Sequence, residues 1–236
     1  MNSLESDLER AQRLSVETLA DAIETIGFEC TRCGACCKAG DSSDGHTADE
    51  SVNDQTADES PDDHTATVFP DEVRTIRAHN GGDWRDIARP MPYGLTDDGD
   101  TGETLEWALQ TDACGDCTFY NGETNACTVY NHRPLVCQTY PFSVALGGTT
   151  QPLGETVQQN GMVRAHECEG LGRDISREEA VELAVALKQR AIRELNEAIS
   201  LRDSYESVGV ESGSVVVHDS EGPKRPDGTP IDQSTE

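Results

Sequence analysis

Lysine is nearly absent from this sequence. The 236 residues include 45 acidic and 18 basic side chains, which gives a formal net charge of −27, and only Lys38, Lys188 and Lys224 are lysines. So negative a surface repels phosphate backbones and anionic lipid head groups. We therefore expect no nucleic-acid or membrane partner. The acid excess also predicts a halophilic protein, because high salt screens the self-repulsion of the surface.

Long apolar runs are also missing. No stretch of about 18 apolar residues occurs, so no membrane-spanning helix is predicted. The segment from Met1 to Arg10 carries glutamate and aspartate where a secretory leader would have a basic region followed by an apolar one. The sequence therefore predicts a cytoplasmic protein.

Aromatic residues make up 5% and hydrophobic residues 35% of the chain, too few for all of it to pack in a core. Residues 41–66 are predicted to form a disordered acidic insert, because Val52 is the only sizeable apolar side chain between positions 41 and 64. A disordered tail is predicted at 207–236. Within it, Val215–Val217 could instead form a short edge strand or a docking peptide.

The rest of the sequence has the pattern of an α+β protein. Apolar residues recur at three- and four-residue steps between Ser15 and Gly27, which predicts a helix. Alternation around Trp107 predicts a small, irregular antiparallel sheet. Ser176 and Glu179 have the spacing of a capping box and open a long C-terminal helix. The predicted units are an N-terminal helix in residues 1–29, cysteine-rich loops in 30–175 and the C-terminal helix at 176–206.

Nine cysteines carry the strongest functional signal. In a chain without a predicted leader, thiols at short spacings are more typical of metal ligands or catalytic groups than of disulfides. A Cys-x-x-Cys turn lets two thiolates meet at one cation, while backbone N–H groups point at the sulfurs. The first group is Cys30, Cys33, Cys36 and Cys37, and the second is Cys114, Cys117, Cys127, Cys137 and Cys168.

Other interpretations account for fewer of these cysteines. Structural thiols buried in a core would have no reason to adopt Cys-x-x-Cys spacing twice. Thiol–disulfide exchange at one such motif would leave most of the other cysteines unexplained. Eight thiols are enough for two four-ligand sites or for one multinuclear centre. We therefore predict that residues 30–175 form a metal-binding domain with one cysteine to spare.

Four segments resemble one known family. CTRCGACC at 30–37 is similar to the signature of the YkgJ-like cysteine-cluster family, also called the CxxCxxCC or zinc- or iron-chelating domain family. CGDCTFY at 114–120, CTVY at 127–130 and RPLVCQTYPF at 133–142 are similar to its second half, in the same order. The resemblance covers about residues 28–170, apart from the acidic insert that lengthens the loop after the first motif. It implies a metal-chelating domain of about eight cysteines, which some relatives carry inside a flagellin lysine N-methylase.

The spacing is compatible with an iron–sulfur cluster or with Zn²⁺. Cys30, Cys33 and Cys36 have the C-x2-C-x2-C spacing of ferredoxin-type [4Fe–4S] sites, although the adjacent Cys37 replaces their usual continuation. Zinc would be held by four thiolates in a closed tetrahedron, for which the two Cys-x-x-Cys pairs are suitable halves. Because three thiolates crowd one loop, we favour an iron–sulfur cluster.

Several side chains beside the cysteines are predicted to support the cofactor. A four-thiolate centre is anionic and needs N–H donors around it. The predicted cofactor-binding residues are therefore Arg32, Lys38, His132 and Arg133, with ordinary solvation as the alternative. His132 and His166 could instead be direct ligands. Three aromatic residues are predicted to shield the centre from water: Tyr130, Tyr140 and Phe142.

No catalytic motif accompanies the cysteines. The glycines at 147–148 and 170–172 lack the spacing of a nucleotide-binding loop, and no Ser-His-Asp arrangement is recognisable. The predicted function is metal chelation, in electron transfer or in metal handling. The alternatives are an iron–sulfur oxidoreductase, an accessory to a protein-lysine methylase-like enzyme, and a zinc-stapled scaffold whose C-terminal helix binds a protein partner.

Overall fold

A computed structural model describes residues 3–39, 65–96, 98–147, 149 and 155–231. The predicted acidic insert lies outside the described residues, apart from Thr65 and Ala66. The described part of the chain confirms the α+β class, with small sheets and a long C-terminal helix. Its α-helices are α1 (Leu4–Arg13), α2 (Val16–Ile26), α3 (Pro70–Asn80), α4 (Leu135–Thr139) and α5 (Arg177–Ser204).

Short strands form several small sheets instead of one. Three sheets have the strand orders β1-β4-β2, β11-β10-β3 and β7-β9-β8, and β5 pairs with β6. All pairings are antiparallel except that of β10 with β3. The strands are β1 (Thr67–Val68), β2 (Ala88–Pro90), β3 (Gly102–Leu105), β4 (Trp107–Leu109), β5 (Tyr120–Asn121), β6 (Ala126–Cys127), β7 (Phe142–Val144), β8 (Thr156–Asn160), β9 (Val163–His166), β10 (Val215–Asp219) and β11 (Gly222–Lys224).

The N-terminal region contains two helices where the sequence predicted one. Ser3 caps α1 by accepting a hydrogen bond from the Ser6 N–H, and Ser15 caps α2 by accepting one from the Thr18 N–H. The chain turns between them at Leu14, which has extended ψ. α2 ends at Gly27, whose φ of 77° and close approach to the Arg173 carbonyl exclude a side chain. This turn delivers the chain to the first cysteine loop.

The C-terminal helix packs within its own chain. The Ser176–Glu179 capping box is present, and the helix ends at Ser204, two residues before the predicted limit. It lies against α1, α2 and α4. Its alanine-rich buried face makes this close packing possible; the buried apolar residues include Ala180, Ala184, Leu187, Ala191 and Leu195. In the part of the chain that is described, no helix is long and apolar enough to cross a bilayer.

The prediction of a disordered tail over 207–236 is wrong for the segment 215–224. β10 and β11 form a hairpin there, and Val217 is completely buried. The Asp219 carboxylate accepts hydrogen bonds from the Trp107 indole N–H at 2.7 Å and from the Lys224 ammonium at 2.6 Å. The low overall hydrophobicity of the tail favours the prediction of disorder. The hairpin is instead held by a short apolar triplet, Val215–Val217, and by a hydrogen bond to Trp107, which is distant in sequence. Residues 232–236 are not described.

Two apolar cores result from this packing. The first core joins α1, α2 and α5 to β7 and β9, and the second joins α3 to the β1-β4-β2 sheet and to Val217 of β10. Cysteine side chains pack against both cores. Cys168 contacts the first core, whereas the second core is contacted by Cys37, Cys117, Cys127 and Cys137. The cysteine loops therefore occupy the boundary between the two cores.

Candidate metal centre

The first cysteine loop is tightly folded. Gly34 has φ of 80°, and the Cys37 N–H donates to its carbonyl at 2.8 Å, which closes a 3-10 turn over Ala35–Cys37. A Cβ atom on Gly34 would lie 2.4 Å from the ring of Tyr120. Glycine is therefore required at this position, and the loop lies directly on the segment that carries the second cysteine group.

Cys168 lies beside the start of this loop. The Glu29 N–H donates to the Gly170 carbonyl at 3.0 Å, and the Gly170 N–H points at the Cys168 sulfur at 3.4 Å. Burial raises the pKa of the Cys168 thiol, and the charges of Cys33, Cys36 and Cys30 raise it further. Backbone pairing thus brings Cys168 beside Cys30, although more than 130 residues separate them in sequence.

The other side of the loop contacts the remaining cysteines. The Cys117 N–H donates to the Cys37 carbonyl at 2.8 Å. Pairing of β5 with β6 places Tyr120 opposite Cys127, and α4 contributes Cys137. Burial raises the pKa of Cys117 to about 11 and raises the pKa of Cys127 and Cys137 as well. These thiols are therefore protonated at neutral pH until a metal replaces their protons.

Cys36 stands at the junction of the two groups. Its sulfur is 3.9 Å from that of Cys37, and their contact, with burial, raises the pKa of Cys36. Charge on Cys36 also acts on thiols from both sides, which include Cys117, Cys127, Cys137 and Cys168. We call Cys30, Cys33, Cys36 and Cys168 the loop set, and Cys37, Cys117, Cys127 and Cys137 the core set.

Cys114 lies in an exposed turn. Its backbone N–H donates to the Asp112 carboxylate at 2.8 Å. The same carboxylate oxygen accepts from the Asp116 N–H, so the residues before Cys117 form a turn around Asp112. Of the predicted pair Cys114 and Cys117, Cys117 is buried and Cys114 is exposed.

The donor set fits a metal that prefers sulfur. All nine cysteines are free thiols. The Cys36 and Cys37 sulfurs are 3.9 Å apart, so the loop set and the core set adjoin at these two residues. Among the described residues, however, no three His, Cys, Asp or Glu side chains converge closely enough to enclose an ion. The thiols are grouped, and coordination would draw them together.

The predicted cofactor-binding cations contact aromatic rings at this site. The guanidinium carbons of Arg32 and Arg133 lie 5.2 Å and 3.8 Å from the centre of the Tyr130 ring. The Lys38 ammonium lies 5.4 Å from the centre of the Tyr120 ring. Their N–H bonds to sulfur remain a prediction. The positive charge of Arg133 offsets part of the rise in the pKa of Cys36, Cys127 and Cys137. Arg133 therefore lies near these thiols.

The two candidate histidine ligands have other neighbours. The His132 ring stacks on that of His79, with 3.5 Å between ring centroids. His166 is buried, and its Nε2 lies 2.8 Å from the Ser143 hydroxyl.

The predicted shielding residues differ in their contacts. Tyr130 is 40% exposed. Phe142 is buried in the first core, edge-on to Phe28. The Tyr140 hydroxyl donates to the Glu167 carbonyl. Burial raises the pKa of Tyr140, and the charge of Cys168 raises it further. Tyr140 therefore lies near thiols of the loop set.

Sequence reasoning missed Glu72, which positions the helix that carries Cys137. Its carboxylate accepts from the Phe69 N–H at 3.0 Å and from the Leu135 N–H at 2.8 Å, so it joins the first turns of α3 and α4. Burial raises its pKa to about 6. The Pro-Asp-Glu start of α3 is a local signal for a helix N-terminus, but the bond to α4 has no signal in sequence.

Glu72→Gln should change how stability depends on pH. Because the folded-state pKa is about 6 and the ordinary value is 4.5, the folded chain holds a proton that the unfolded chain releases in this window. Glu72 should therefore lower the free energy of unfolding by about 2 kcal/mol as pH rises through it. In urea titrations at pH 4 to 7, the free energy of unfolding of the wild type should fall by about this amount relative to that of the variant. Glu178→Gln, on the exposed first turn of α5, is the control and should follow the wild type; a Glu72→Gln curve parallel to the wild type would contradict the assignment.

The fold and the site together define a metal-chelating cysteine-cluster protein. The chain belongs to the CxxCxxCC family, described as "Putative zinc- or iron-chelating domain", whose model matches residues 29–169. The match confirms the family resemblance and covers more than half of the chain. It includes both cysteine sets and leaves out α1, α2 and α5. No curated protein and no solved structure matches the chain.

Proposed function

We propose that the chain binds metal at two adjacent positions, one in the loop set and one in the core set. The observation that supports this proposal is that backbone hydrogen bonds bring Cys168 to one side of the first cysteine loop and Cys117 to the other. Four thiolates are the number that a structural zinc or an iron–sulfur cluster uses. In this arrangement the two positions adjoin at Cys36 and Cys37, and Cys114 is the ninth, non-ligating cysteine.

Metal handling is the role that this arrangement supports best. Cys30 is exposed, whereas Cys117 is buried against the second core. The loop set can therefore exchange metal with solution, while the core set holds its metal more firmly. The acid excess supports a halophilic setting for this role.

Electron transfer is the second candidate, and one observation favours it. The pairing of Glu29 with Gly170 brings Cys168 beside the first cysteine loop, whose C-x2-C-x2-C spacing is that of ferredoxin-type sites. A cluster held there would supply one-electron redox chemistry. The scaffold alternative has less support, because the apolar face of α5 is already covered by its own chain.

Metal analysis of protein purified without oxygen tests these roles. Two zinc ions per chain and a colourless protein would support metal handling and would exclude the redox role. Iron with acid-labile sulfide and broad absorbance near ~400 nm would support electron transfer at the loop set. Protein that takes up neither zinc nor iron after reduction and anaerobic reconstitution would refute the metal-binding proposal.

A further inference from the structure

Three cations surround the thiols at a surface that is otherwise strongly acidic. We call Arg32, Lys38 and Arg133 the cationic collar. Arg32 lies between two cysteines of the loop set, Lys38 directly follows Cys37, and Arg133 lies near Cys36. Among the ion pairs found between described residues, none includes a member of the collar, although most other arginines are paired with carboxylates.

Two members of the collar converge on one ring. Since the guanidinium carbons of Arg32 and Arg133 lie 5.2 Å and 3.8 Å from the Tyr130 ring centre, they are at most ~9 Å apart. The Arg133 Nε donates to the Tyr130 carbonyl, and this leaves its two terminal nitrogens available. Arg32 has φ of 57°, an uncommon value for a residue with a side chain. One multivalent anion could therefore contact both guanidinium groups.

The electrostatics of the whole chain distinguish the forms in which metal could arrive. A hydrated divalent cation is attracted by 45 carboxylates spread over the sequence and is repelled by the collar. An anionic chelate is repelled by most of the surface and attracted by the collar. Clefts with one sign of charge raise the association rate of oppositely charged ligands by 10- to 10³-fold. The collar therefore favours entry of metal as an anion.

We propose that the cationic collar binds multivalent oxygen anions, polycarboxylate or polyphosphate, and so receives metal for the thiol centre as an anionic chelate. This inference rests on the proposed metal-handling function. In the transfer, metal–oxygen bonds of the chelate break and metal–sulfur bonds form. The thiol protons pass to the freed anion or to water, and the metal keeps its oxidation state.

The test compares two forms of zinc as donors to the metal-free, reduced chain. Loading from zinc citrate, from zinc pyrophosphate and from hydrated zinc is followed by stopped flow at low ionic strength. The double variant Arg32→Gln/Arg133→Gln should load at least ~10-fold more slowly from a chelate, with no decrease for hydrated zinc. The chelate that shows the effect identifies the anion. Arg13→Gln/Arg225→Gln, which changes the net charge equally at exposed positions elsewhere, should load like the wild type.

Other results would separate the two proposals. If the double variant loaded more slowly from all three donors to the same extent, the collar would only neutralise the bound centre. If its loading rates were unchanged, the collar would have no role in the entry of metal. Either result overturns the inference and leaves metal binding intact. A wild-type chain that binds no zinc from any donor would instead refute the proposed function. All variants should bind the same amount of zinc at equilibrium, and this result would show that they are folded.

Discussion

Cys137→Ser should lose about half of the bound metal, that of the core set, and keep the rest. Cys137 is partly buried against the second core, and a serine hydroxyl there is a weaker ligand than a thiolate for a metal that prefers sulfur. Cys33→Ser should remove the metal of the loop set in the same way. Metal content after gel filtration, measured together with free-thiol titration, gives the stoichiometry of each variant.

Cys114→Ser is the matched control for this experiment. It removes one thiol from the same group in sequence, but from an exposed position. Its metal content should equal that of the wild type. If Cys137→Ser and Cys33→Ser each lost all of the metal, the eight thiols would form one multinuclear centre. A loss in Cys114→Ser would contradict the assignment of the spare cysteine.

The parts of the fold that the sequence predicted depend on local signals. The capping box at Ser176, the Gly27 stop of α2 and the polar insert all act over a few residues, so they can be recognised in one segment. The hairpin of β10 and β11 depends on Trp107 and on a parallel pairing with β3, more than 100 residues away. No property of the tail alone indicates that these partners are available.

The metal centre likewise depends both on local signals and on contacts between distant residues. Cysteine spacing predicts that thiols meet, because Cys-x-x-Cys turns converge locally. Their sorting into two sets depends on the Cys117–Cys37 and Glu29–Gly170 hydrogen bonds, which the spacing does not encode. The spacing favours a Cys114–Cys117 pair, and it does not encode the turn around Asp112 that leaves Cys114 exposed and Cys117 buried.

Arg190→Met should be the most destabilising single substitution outside the thiols. Arg190 is 2% exposed, and it bonds to Glu194 at 2.7 Å and to the Thr139 hydroxyl at 3.0 Å. Its removal leaves the Glu194 carboxylate buried near Glu106, whose pKa is raised by burial and by that carboxylate. Removing one partner of a buried ion pair costs about 3–5 kcal/mol. Urea unfolding of the metal-loaded protein should show a loss of this size.

A double variant separates the lost ion pair from a general packing defect. Arg190→Met/Glu194→Leu removes both charges and keeps the volume, so it should recover most of the lost stability. Arg13→Met breaks an exposed pair with Glu9 and should cost less than about 1 kcal/mol. If the double variant were as unstable as Arg190→Met, packing would be the cause and not the loss of the Arg190–Glu194 ion pair.

The same substitution connects stability to the metal centre. Thr139, which Arg190 holds, lies two residues after Cys137 and donates its hydroxyl to the Leu135 carbonyl, so Arg190 and Glu72 fix the two ends of α4. Arg190→Met should therefore weaken metal binding at the core set more than at the loop set, which is fixed by Gly170 instead. Competition with a zinc chelator should show one of two zinc ions released at lower chelator concentration. Equal weakening of both would mean that α4 does not position the core set separately.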